Sequence, residues 1–230
     1  MSGPAQLPLA LPHAPSFGRE DFMSAPSNSA ALHLIESWPD WTAPVVLLSG
    51  PAGSGKTHLV HIWAARAGAT IVPAIATSSG LGITDLGTNP AVAVEDVPAH
   101  AAPEAPLFHL INRVCELGGS LLLTSRERGD DWRIGLPDLR SRIRLAVPAT
   151  LGAPDDELLR KVLVKLFADR QLVVDKSLID FLIARMERSL SAAVRLVDAL
   201  DEKALAAGRP ITRAVASAVL SGEEEFADQQ

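Results

Sequence analysis

The sequence predicts an α/β chain: a P-loop core whose parallel sheet is flanked by helices, followed by a small all-α lid domain. Three observations carry this. Gly50-Pro51-Ala52-Gly53-Ser54-Gly55-Lys56-Thr57 fits G-x-x-x-x-G-K-[ST], the phosphate-binding loop of nucleotide-binding ATPases. Apolar runs and helical patterns alternate as far as Val147-Pro148, as βα units do. Beyond Pro154 only helical patterns remain.

At 230 residues the chain holds one large domain or two small ones, and 47% hydrophobic content is ample for a core. A net charge of −6 argues against a broad phosphate-neutralising surface, so sequence-specific DNA binding is not expected. Cys115 is the single cysteine, which excludes an intrachain disulfide and suits a reducing compartment. No basic segment precedes an apolar core at the N-terminus, and no run approaches ~18 apolar residues. The expectation is a soluble cytoplasmic protein without a membrane span.

Residues 1–16 contain four prolines, which forbid a regular helix. Gln6, Leu7, Leu9 and Leu11 fall in this extended stretch, with alternate leucines. Such a peptide either enters a partner's groove, with Gln6 supplying hydrogen bonds, or folds back on its own domain. Phe17 to Trp41 opens the folded part. Ser27 or Ser29 is a cap for a helix from Ala30 to about Trp38, which Pro39 ends. Phe22 to Asn28 either wraps an adenine or packs into the core.

Val45-Val46-Leu47-Leu48 reads as a buried strand, and His58 to Ala67 as the helix after the loop. Strand, loop and helix together suit phosphate chemistry. The glycines let N–H groups point at phosphate oxygens, and the helix N-terminus adds partial positive charge. Lys56 would reach the β- and γ-phosphates and Thr57 would hold Mg²⁺. Ala69 to Ala76 is a second strand, with Pro73 placing it at an edge or ending it. Thr77 to Asn89 is a turn-rich connection.

Pro90 to Val97 is a run of small apolar residues that ends in Glu95-Asp96, the Walker B pattern. A carboxylate at the carboxyl end of a strand beside the P-loop binds Mg²⁺, and its neighbour can orient the attacking water. Glu95 is the metal candidate and Asp96 the base candidate. Ala105 to Leu117 is a helix with Leu107, Leu110, Ile111 and Val114 on one face, stopped by Gly118-Gly119. Ser120 to Ser125 is a strand whose terminal Thr124, with Ser125 in reserve, is placed to touch a γ-phosphate or its water. Arg126 to Asp131 is a charged loop. Leu136 to Ile143 is a short amphipathic segment with Arg140 and Arg142 close to Arg144, either a solvated basic face or a source of a transition-state arginine. Val147-Pro148 begins a final edge strand.

Leu151 to Pro154 reads as a linker. Helical patterns then run over Asp155 to Arg170, Lys176 to Glu187, Ser191 to Ala207 and Thr212 to Leu220, with Asp175, Ser191 and Thr212 as caps. An acidic tail follows from Glu223.

An α/β P-loop core followed by a helical lid resembles the AAA+ ATPases. The loop with His58-Leu59, the segment Leu136-Pro-Asp-Leu-Arg-Ser-Arg142, and Gly208-Arg-Pro-Ile-Thr212 resemble the DnaA-related branch. Gln6-Leu-Pro-Leu-Ala-Leu11 is similar to the sliding-clamp-binding motif Q-L-x-L-x-L. A short DnaA-like module with that peptide resembles the Hda-type regulatory inactivators of DnaA. The resemblance implies a negative regulator of chromosomal replication initiation. It implies that Gln6, Leu7, Leu9 and Leu11 dock on the β subunit of DNA polymerase III, the sliding clamp. It implies ADP or ATP with Mg²⁺ on Gly50 to Thr57 and His58, and Arg142 offered as an arginine finger to ATP on DnaA. Homo-oligomers are compatible with such a module. The lid sensor arginine of the family falls between Arg188, the nearer candidate, and Arg195. Arg126 stands where the family carries an acid, and Glu95-Asp96 inverts the usual order. These departures imply an activator rather than an efficient ATPase. The alternative is an autonomous AAA+ ATPase, a loader or remodeller, with Asp96 as its working base.

Overall fold

The computed structural model describes residues 17–74, 86–101, 103–207 and 210–227. Gln6, Leu7, Leu9 and Leu11 lie outside the described residues, as does most of the 77–89 connection. The chain divides into two compact units, with the break between Ala153 and Pro154.

The first unit is built on five parallel strands: β1 (Val45–Ser49), β2 (Thr70–Pro73), β3 (Ala91–Glu95), β4 (Ser120–Ser125) and β5 (Val147–Thr150). Their order is β2-β3-β4-β1-β5. The predicted parallel sheet is present. The Thr124 strand, β4, lies between the Glu95 strand and the P-loop strand. Its Leu121 pairs with Val45 of β1 and with Val92 of β3. The crossovers from β1 to β2, β3 to β4 and β4 to β5 each carry a helix, so consecutive strands need not be neighbours. Pro73 and Pro148 sit in the two edge strands, where a missing N–H costs no ladder bond.

Strand alternation sorts the core into two faces. Val45, Leu47, Val92, Val94, Leu121 and Leu123 face α3 (Glu104–Glu116) and α4 (Pro137–Leu145). Val46, Leu48, Ala93 and Leu122 face α1 (Ser29–Glu36) and α2 (Lys56–Ala67). The apolar face expected for α3 is the buried one: Leu107, Leu110, Ile111 and Val114. On the other face Trp63 of α2 is 0% exposed. Trp41 stacks on it at 5.2 Å, and Trp38 meets it edge-on at 6.4 Å. Both outer indoles are anchored: Trp38 Nε1 donates to Ser120 Oγ, and Trp41 Nε1 to the Leu34 carbonyl.

Neither Ser27 nor Ser29 caps α1; the cap position is Asn28. Its side chain serves the turn before the helix instead. Oδ1 accepts from the Ala25 N–H at 2.8 Å, and Nδ2 donates to the Met23 carbonyl at 2.9 Å. A short amide that bonds back to the preceding backbone in this way is not free to cap the helix. The preceding residues close on α2 through aromatic contacts. Phe17 stacks on His61 at 4.3 Å, and Phe17 and Phe22 both meet His58 edge-on. His58 Nε2 donates to the Gly18 carbonyl at 2.9 Å. Phe22 is buried, so core packing holds for it.

The second unit comprises α5 (Asp156–Asp169), α6 (Lys176–Ile183), α7 (Leu190–Ala207) and α8 (Arg213–Ala227) around one apolar cluster. Asp155 and Asp175 cap α5 and α6, accepting from the Leu158 and Leu178 N–H groups, each at 2.7 Å. The cap of α7 is Ser189 rather than Ser191: its Oγ accepts from the Ala192 N–H at 3.1 Å, and Ser191 already lies within the helix. Thr212 Oγ1 accepts from the Val215 N–H. α8 continues past the expected stop at Leu220 to Ala227, because three glutamates after Gly222 are good helix formers.

Two outcomes follow. Ser189→Ala should cost about 1 kcal/mol in urea unfolding, whereas Ser191→Ala should cost no more than a few tenths. Burial holds the His58 imidazole below its ordinary 6.5, outweighing the Gly18 carbonyl. The folded state therefore binds fewer protons than the unfolded chain below that value. Stability conferred by neutral His58 is complete above 6.5 and declines as pH falls beneath it. Thermal unfolding across that window should fall more steeply for the wild type than for His58→Gln.

Candidate nucleotide site

All five strands run the same way, so their carboxyl ends meet along one rim of the sheet, where α/β ligand sites form. The loop leaves β1 there, with the Gly50 N–H donating to the Ser125 carbonyl of β4 at 3.2 Å. A Cβ on Gly50 would lie 2.7 Å from the Leu151 carbonyl oxygen, so the loop passes where no side chain fits. Gly55 enters α2 at φ 101°, a left-handed conformation that glycine adopts without strain. It offers no side-chain cap. The first N–H groups of α2 therefore open toward the rim with the positive end of the helix dipole.

Lys56 is 7% exposed. Its Nζ donates to the Gly50 carbonyl at 2.8 Å and to the Pro51 carbonyl at 2.9 Å. Burial lowers its pKa; Asp96 and Glu95 oppose this, and Arg126 adds to it. Two carboxylates and a second cation thus stand within electrostatic range of the ammonium. Ser54 Oγ is buried without a partner. Pro51, Ala52 and Thr57 are exposed, and Gly53 is half-buried. The loop presents donors — an ammonium, a hydroxyl and the N–H groups of the first turn — and no acid, a set that fits phosphate.

Glu95 and Thr124 lie two residues beyond Ala93 and Leu122, which face α2, so both extend that face of the sheet. Glu95 is half-buried and Asp96 exposed. Asp96 adopts φ 55°, a left-handed turn that aspartate tolerates. Its N–H donates to Thr124 Oγ1 at 2.9 Å, and the Val97 N–H donates to the Thr124 carbonyl at 2.8 Å. Ser125 Oγ donates to the Val97 carbonyl at 2.9 Å. The structure thus joins Asp96 and Thr124 directly. No cluster of three or more His, Cys, Asp or Glu able to hold a metal occurs among the described residues. Thr57 and Glu95 supply the hard oxygen donors that suit Mg²⁺ when phosphates and water complete its shell.

Two of the expected residues are placed away from the loop within the first unit, and a third belongs to the second unit. The His58 ring is engaged with Phe17, Phe22 and Gly18. Arg188 belongs to the second unit, where Nη2 donates to Asp156 Oδ1 at 2.6 Å. Arg142 lies exposed on α4, which packs on the face of the sheet opposite α2. The influence of Arg126 on Lys56 was missed in the sequence. Its position directly after β4 is the one signal that could have found it.

Residues 155–220 match the family model for the lid domain of Hda. A Haemophilus influenzae protein described as uncharacterized is 27% identical over 218 residues, covering 90% of this chain and 94% of its own. Domain III of the Thermotoga maritima replication initiation protein DnaA shares the fold at a TM-score of 0.76 and 17% identity, covering 92% of this chain and 98% of that one. Aquifex aeolicus DnaA bound to AMPPCP superposes at 0.66 and 16% identity, over 83% of this chain and 65% of that chain. Thermotoga maritima RuvB does so at 0.66 and 16%, over 83% of this chain and 66% of that chain. No described helix is long and apolar enough to cross a membrane. Residues 155–220 thus carry a lid of the Hda type, and the chain as a whole has the fold of DnaA domain III.

Proposed function

We propose that this protein regulates the initiation of chromosomal replication by promoting hydrolysis of ATP held on DnaA. The observation that carries the reading is the placement of Arg142: it is exposed on a helix packed against the sheet face opposite its own P-loop helix, in a chain with an Hda-type lid. An arginine so placed suits a neighbour's γ-phosphate better than its own. Similarity to DnaA solved with AMPPCP supports an adenine nucleotide at Gly50 to Thr57. When bound, its phosphates would be held by Lys56 and the first N–H groups of α2, with Thr57 and Glu95 as the metal ligands. Thr124 holds the Asp96 backbone, which fixes the turn at the end of β3. Gln6, Leu7, Leu9 and Leu11 supply the clamp-binding peptide that brings the protein to DNA.

A second reading, an autonomous ATPase, draws on Asp96: an exposed carboxylate within electrostatic range of Lys56 is suited to orient water.

Hydrolysis of ATP preloaded on DnaA, with DNA-loaded clamp, tests both. The wild type should accelerate it; Arg142→Ala should lose on the order of 10³-fold, and Gln6→Ala should lose the dependence on clamp. Lys56→Ala should abolish nucleotide binding measured by calorimetry. Failure of the wild type to accelerate hydrolysis on DnaA, together with intrinsic turnover that Asp96→Ala removes, would establish the autonomous reading instead.

A further inference from the structure

α4 begins without a side-chain cap, and another helix holds the chain that enters it. Its cap position is Leu136, which has no side-chain acceptor, and its first residue, Pro137, has no N–H. The carboxylate of Glu104, the first residue of α3, binds the two residues just before the helix. Oε1 accepts from the Gly135 N–H at 2.8 Å and Oε2 from the Leu136 N–H at 2.7 Å. Two oxygens on two consecutive N–H groups fix the approach of the chain as well as its distance. The negative charge also meets the positive end of the α4 dipole.

The rest of α4 is held by Leu139 and Ile143, both buried in the α3 face of the core. Arg140 folds back to donate to the Ile134 carbonyl. Arg142 lies one turn and a half from the clamped end, on the exposed side. Sliding or rotation of the helix entry would carry its guanidinium with it.

We propose that Glu104 is a positioning residue for Arg142. It touches no nucleotide and acts by fixing where α4 starts, and through that where Arg142 is presented. The inference rests on the reading of Arg142 as the group offered to nucleotide on DnaA. A misplacement of about 1 Å in such a group can cost as much as 10²-fold in rate.

Hydrolysis of ATP on DnaA with DNA-loaded clamp should be titrated with wild type, Glu104→Gln, Glu104→Ala and Arg142→Ala. Glu104→Ala should lower the maximal stimulated rate about tenfold or more while leaving the half-saturating concentration unchanged. Glu104→Gln, which keeps one oxygen acceptor, should fall between it and the wild type. Amide hydrogen exchange at Gly135 and Leu136 should rise in the same order. Should Glu104→Ala fail to fold, Glu104→Gln carries the comparison alone. A wild-type maximal rate in the Glu104 variants, with Arg142→Ala inactive, would overturn the proposal and leave the arginine reading standing. A shift confined to the half-saturating concentration would also overturn it, since that marks a docking residue. Arg142→Ala as active as the wild type would remove the arginine reading and the proposal with it.

Discussion

The rim of the sheet depends on one short bond, from the Asp96 N–H to Thr124 Oγ1. β3 and β4 are neighbours along their length, but ladder bonds end where the strands end. Beyond Glu95 the chain reverses through a left-handed aspartate, and nothing in the ladder would hold that turn. The threonine hydroxyl holds it, its carbonyl holds the next residue, and Ser125 returns a bond from the same strand. Ser125 in turn accepts from Gly50. Asp96 after β3 and the loop after β1 are thus tied to the same two residues of β4, although the strands that carry them never touch.

That arrangement shows what the sequence could and could not reveal. The glycine loop was legible because its residues are consecutive and their geometry is local. The apolar face of α3 and the Asp175 cap were legible for the same reason: period and position suffice. What was not legible was non-local or finely local. Strand order depends on which crossover passes over which face, and no spacing encodes the insertion of β4 between β1 and β3. Ser189 against Ser191 is a choice of two residues within one serine-rich turn. Asn28 resembles a cap and is spent on the turn before it.

Electrostatics divides along similar lines. The chain is acidic as a whole, yet Arg140, Arg142 and Arg144 stand exposed on one short helix. Lys56 is the opposite case, a cation withdrawn among carbonyls and balanced by Asp96 and Glu95 against Arg126. Net charge describes neither. The exposed arginines can address a partner's anion, while the buried lysine is set for an anion that enters its own loop.

The stacking of Phe17 on His61, with the Gly18 carbonyl held by His58, turns the first described residues into a mooring point on α2. Covalent reach then sets a leash. The six steps from Leu11 to Phe17 span at most about 20 Å. Anything that grips Leu11 is confined to within that distance of Phe17, and anything that grips Leu7, ten steps away, to within about 35 Å. Loss of the mooring would lengthen the leash without altering either end, and would thin the effective concentration at which one bound partner meets the next.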